Sequence, residues 1–127
     1  SSVNGFCAAR GMASYNATKA FDLLFAEGLA GELEPYGVDV QALCPGGTWT
    51  EFQQVAGLDT RKFGPLAGLV FARPTSVVAT SLRSLGGRVT VVPGLVNKLT
   101  VLAFRLLPRR LAVWIFGATM ERFSAGS

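Results

Sequence analysis

The chain contains no histidine, and this absence removes several chemistries. Without imidazole there is no histidine-based triad and no histidine-containing zinc site. Cysteine is nearly as scarce, with Cys7 and Cys44 alone, too few for a disulfide framework or a thiolate metal site, so no metal is expected. Cys44 ends an apolar run before Pro45 and reads as a small buried residue. Charged residues make up only 16% of the 127, against 50% hydrophobic, which excludes a disordered chain and supplies one modest core. Nor is there a simple membrane span. A spanning helix needs about 20 mostly uncharged residues, and Arg105, Pro108, Arg109 and Arg110 interrupt the most apolar stretch.

The charge that is present is unevenly placed. Residues 1–97 hold seven Lys/Arg and seven Asp/Glu, whereas the tail sets Lys98, Arg105, Arg109, Arg110 and Arg122 against Glu121 alone, so the net +4 resides there. The basic residues are scattered and lack interleaved aromatic platforms, which argues against nucleic acid. A basic, apolar tail suits a helical arm packed on the domain or a second subunit, or else a membrane surface or acidic partner.

Periodicity predicts a long helix from Ser14 to about Glu34, ended by Pro35-Tyr36-Gly37. Gly28 and Gly31 weaken it locally and are expected to permit close packing. Val38–Cys44 reads as a buried strand, Gln53–Pro65 as a loop and Leu66–Phe71 as an apolar segment. A helix opens at Pro74 and runs over Thr75–Leu85 to the stop Gly86-Gly87, and Arg88–Val92 is a β-branched strand. Beyond Pro93-Gly94, Leu95–Leu107 and Arg109–Phe123 read as helices separated by Pro108. The expected organisation is an α/β unit over 1–94 and an apolar, basic helical tail over 95–127.

The chemistry centres on Ser14-Tyr15-Asn16-Ala17-Thr18-Lys19. A phenol and an ammonium four residues apart share one helix face. A fixed cation beside a phenol favours its ionised form and brings it towards useful proton transfer. Ser2, thirteen residues before Tyr15, offers a hydroxyl to hold a substrate oxygen, and Ser1 is one residue too far by the same spacing. After the strand comes Cys44-Pro45-Gly46-Gly47-Thr48-Trp49-Thr50. Ligands bind open α/β sheets at that carboxyl edge.

In this order and spacing the chain resembles the C-terminal half of a short-chain dehydrogenase/reductase, by motif over Ser1–Leu85 and more loosely through Val92. The resemblance implies the C-terminal part of a doubly wound, Rossmann-like parallel sheet. It also implies an NAD(P)-dependent oxidoreductase that interconverts a carbonyl and an alcohol. Tyr15 would be the general acid/base. Lys19 would support it and hydrogen-bond the nicotinamide ribose, and Ser2 would donate to the substrate oxygen. Pro45, Gly46, Gly47, Thr48 and Thr50 would meet the nicotinamide end of NAD or NADP, with Tyr15 and Lys19. Asn4 and Gly47 depart from the residues commonest in the family, and neither removes a required group. The Gly-rich phosphate loop, the residue that selects NAD or NADP and an upstream catalytic asparagine would precede Ser1, which makes the expected chain a fragment of an active parent. The resemblance further suggests a homodimer or homotetramer built partly on Phe21, Leu24 and Phe25, and a cytoplasmic protein with membrane-surface contact through the tail as the alternative. Phe52, Val55, Phe63, Leu66, Leu69 and Phe71 fall where relatives place a substrate loop, and their apolar character suggests a lipophilic substrate such as a 3-oxoacyl chain, steroid or hydrophobic ketone. A catalytically silent binding module on the same fold is the competing reading.

Overall fold

The computed structural model describes residues 1–48 and 71–124. The chain opens with a 3-10 turn, Val3–Phe6, that Ser2 caps by accepting from the Asn4 amide. The long helix α1 spans Ala13–Leu33, within a residue of the sequence expectation at each end. A second 3-10 turn, Glu34–Tyr36, carries Pro35 in its first turn and stops at Gly37, whose φ of 69° is left-handed. Only glycine enters that region without steric cost, so the stop is written locally.

Among the described residues four short strands follow in two parallel pairs: β1 (Ala42–Leu43) with β4 (Thr90–Val91), and β2 (Gly47–Thr48) with β3 (Phe71–Ala72). Helix α2 (Pro74–Ser84) begins at the proline, as the sequence indicates, and is followed by left-handed Gly86. The tail forms α3 (Leu95–Leu106) and α4 (Arg109–Ser124), broken at Pro108. The architecture is α/β. Two expectations are corrected. The strand expected over Val38–Cys44 pairs only at Ala42–Leu43, with flanking bonds from the Ala42 and Cys44 amides to the Val89 and Val91 carbonyls. Val38 and Asp39 are exposed instead, because no described strand runs beside them to bury a longer ladder. Likewise Arg88–Val92 shortens to Thr90–Val91. Gln53–Pro65, Leu66–Val70 and Thr50 lie outside the described residues.

The core sits between α1 and the first strand pair. Leu23, Ala42 and Cys44 are buried together, with Phe6, Ala26 and Val92 packed around them. Burying a leucine contributes about 2 kcal/mol. Cys44 is fully buried, as its place in the sequence suggests. Polar ties fix the layers: Thr90 Oγ1 donates to Glu27 Oε1 at 2.6 Å, and Ser81 Oγ donates to Gln41 Oε1 at 2.5 Å. The former sets α1 against β4, and the latter sets α2 against the approach to β1.

The tail turns one side inward. Val101 and Ala112 are buried, Phe104 and Phe116 meet edge to face at 5.2 Å, and Gly117 lies against Arg10. Leu95, Leu99, Leu102 and Leu106 form the opposite, exposed strip of α3. Among the described residues no helix is long and apolar enough to cross a membrane.

Candidate active site

Two chain segments meet beside the N-terminal half of α1. The first is the Ser1–Phe6 turn. Ser1 Oγ donates to the Lys19 carbonyl at 2.7 Å, and a Cβ on Gly5 would stand 2.7 Å from that same carbonyl oxygen. Glycine at position 5 is therefore what lets the turn lie directly on the helix backbone. Asn16, 3% exposed, anchors the segment further along by donating from Nδ2 to the Cys7 carbonyl at 3.0 Å. Its Oδ1 is buried without a hydrogen-bond partner.

The second segment is the Pro45–Thr48 stretch beyond β1. The Val3 amide donates to the Pro45 carbonyl at 3.0 Å, and Ser2 Oγ donates to the same oxygen at 3.4 Å. The latter is long for a hydroxyl bond and correspondingly weak, so little opposes a turn of this hydroxyl towards another acceptor. Ser2 is thus placed where α1, the opening turn and the end of β1 meet, nearly buried at 9% exposure.

On α1 the Lys19 ammonium lies 5.8 Å from the centroid of the Tyr15 ring, and Asp22 holds it at 3.2 Å. The helical repeat produces the first contact, since residues four apart stack on one face. Asp22, three residues on, is a partner that sequence reasoning did not weigh. Lys19 remains accessible, with a side chain 28% exposed. The structure therefore brings Tyr15 and Lys19 together and sets Ser2 on the turn that covers their helix. It places Pro45 beside Ser2 through the Pro45 carbonyl, with Gly46 and Gly47 next along the chain. Thr48 lies in β2, and Thr50 is outside the described residues.

The donor set suits the polar end of a nicotinamide cofactor: an ammonium for ribose hydroxyls and a phenol beside it. No group of three or more His, Cys, Asp or Glu able to hold a metal occurs among the described residues. Neither cysteine is set up as a nucleophile. Burial pushes the Cys7 thiol up to about 11 and raises Cys44 as well. A shallow groove bounded by Glu27, Glu34, Asp39 and Arg88 lies at the far end of α1 and belongs to none of this.

Two residues that sequence reasoning passed over are asparagines. Asn16 follows Tyr15 in a helix interior, where asparagine is a poor helix former. That mismatch was the available signal. Asn97 sits against Gly46, a long-range contact that no local pattern announces.

Comparison with known proteins places residues 1–60 within the profile of the short chain dehydrogenase family. Over 51 residues the chain is 47% identical to an acetoacetyl-CoA reductase from Shinella zoogloeoides, a match that covers 40% of this chain and 21% of the reductase. No solved structure matches.

Proposed function

We propose, from the match of residues 1–60 to the short chain dehydrogenase profile, that the protein serves as a nicotinamide-dependent oxidoreductase of 3-oxoacyl-type substrates. The observation that carries this reading is the Tyr15–Lys19 pair on one face of α1, whose Lys19 carbonyl accepts from Ser1 Oγ of the adjoining turn. The similarity to an acetoacetyl-CoA reductase supplies the substrate class, and the family supplies a doubly wound, Rossmann-like setting.

Lys19, Tyr15 and the Pro45–Thr48 turn would hold the nicotinamide and its ribose. When bound, NAD(P)H supplies the hydride that the carbonyl carbon accepts in reduction. Ser2 and Tyr15 orient the substrate carbonyl between two hydroxyls. As the carbon–oxygen π pair moves onto oxygen, Ser2 donates a hydrogen bond to the growing charge. Tyr15 transfers its phenolic proton to that oxygen, and the nearby Lys19 ammonium stabilises the phenolate left behind. Alcohol oxidation runs the same steps backwards, with Tyr15 as base. Fixed donors of this kind need no rearrangement at the moment of reaction.

Tyr15→Phe tests the assignment. It keeps the ring under Lys19 and removes only the proton donor. Reduction of acetoacetyl-CoA, followed by loss of NAD(P)H absorbance, is expected to fall about 10²- to 10⁴-fold, the usual scale of general acid–base catalysis. Turnover equal to that of the parent protein would dismiss Tyr15 as the acid.

A further inference from the structure

The tail helix α3 contacts both loops of the candidate site, and it does so with a single face. Asn97, Val101 and Arg105 are spaced four apart, so they stack along one side. Asn97 meets Gly46, Val101 is 7% exposed, and the Arg105 guanidinium lies 5.5 Å from the Phe6 ring centroid. Phe6 ends the turn that Ser2 caps, and Gly46 lies in the Pro45–Thr48 turn proposed to meet the nicotinamide. One helix face therefore bridges the substrate side and the cofactor side.

The closest of these contacts is the most specific. A Cβ built on Gly46 would fall 2.6 Å from Asn97 Cγ and 2.7 Å from Nδ2, inside any tolerable separation. The amide thus occupies the space that every other residue at position 46 would fill. It is also held from behind, because Nδ2 donates to the Pro93 carbonyl at 2.7 Å. Pro93 lies two residues past the end of β4, the parallel neighbour of β1. A rigid amide anchored at the end of β4 is pressed on the turn at the end of β1.

We infer that Asn97 is a positioning residue that holds the Pro45-Gly46-Gly47 turn in its ligand-facing shape, and that α3 is a working wall of the site. That the turn faces a nicotinamide rests on the function proposed above; that Asn97 fixes the turn does not. An ordinary helix-start asparagine would support α3 alone. Here the residue at position 46 is shaped to receive it, which makes the pair reciprocal: the glycine has meaning because of the asparagine.

The test is a double-mutant cycle on the intact protein, read by amide hydrogen exchange. Asn97→Ala removes the wedge, and Gly46→Ala drives a methyl group into it. Each is expected to speed exchange of the residue 46 and Gly47 amides about tenfold or more, while α1 and α2 amides are unmoved. Combining them is expected to cost less than the sum, because the alanine at 46 then has room. Unchanged exchange at 46 and 47 would overturn the inference, as would equal acceleration along the whole chain or strict additivity. Should Asn97→Ala fail to fold, Gly46→Ala alone still reads the contact from its other side. Titration with NADH and NADPH separates the two claims. Weaker binding in Asn97→Ala than in the parent is the expected result. A parent that binds neither nucleotide defeats the proposed function, and exchange at 46 and 47 then decides the role of Asn97.

Discussion

At the scale of single residues, burial sets the behaviour of the two thiols more than their neighbours do. Cys7 is held at about 11 by desolvation, so the folded state keeps its proton where an unfolded chain gives it up. An acid raised in the folded state adds stability below its unfolded pKa and loses it as pH climbs through the folded value. The window is therefore about pH 9 to 11. Cys7→Ala is expected to flatten the fall of thermal stability across that range by on the order of 1–2 kcal/mol, allowing for partial exposure. An unchanged alkaline slope would show that Cys7 does not titrate there. The same scale shows what a sequence can and cannot reveal. Tyr15 and Lys19 were legible because four-residue spacing on a helix fixes their neighbourhood before any tertiary contact forms. Asn97 was not, since it acts on a loop distant in sequence, and Asn16 left only its poor fit to a helix as a signal. Asp22 was visible by spacing yet carried no chemistry of its own.

Elements follow the sequence where the stop signals are local. Pro35-Tyr36-Gly37, Pro74, Gly86-Gly87 and Pro108 each mark a boundary that the structure observes within a residue or two. Strand lengths were the failure, because a strand exists only as far as its partner extends. Val38–Val40 has the β-branched composition of a strand and lacks the neighbour. The glycines of α1 correct a second expectation. Among the described residues a Cβ at Gly28 or Gly31 would meet nothing within 4 Å, so neither serves close packing there. Gly28→Ala and Gly31→Ala are each expected to stabilise the dilute protein by roughly 0.5–1 kcal/mol through helix propensity alone. Denaturant midpoints would show it, and a loss of stability would mean that something packs there.

At the scale of the molecule, the open side of α1 is the conspicuous feature. Phe21, Leu24 and Phe25 are 66%, 67% and 58% exposed, and the two phenylalanine rings stack at 5.7 Å. Gly28 and Gly31 fall on the same side by helical repeat. An aromatic strip beside two small residues is a surface on which we propose that a second copy of this helix approaches closely. Leu24→Glu is expected to convert a dimer into a monomer in sedimentation velocity while leaving the helical circular dichroism intact. A parent protein that is monomeric at high concentration would remove the proposal.

The grip of Asn97 on Gly46 also imposes an order of events during synthesis. The opening turn, α1 and the Pro45-Gly46 turn emerge from the ribosome well before residue 97 is added. At about 5–20 residues per second, the intervening stretch takes roughly 3–10 s. For that interval the turn exists without its wedge, and a nascent chain has a formed Tyr15–Lys19 face beside an unset loop. Any stall or premature stop before the tail would release a chain in that state, with Tyr15 and Lys19 on their helix and the Asn97 wedge never added.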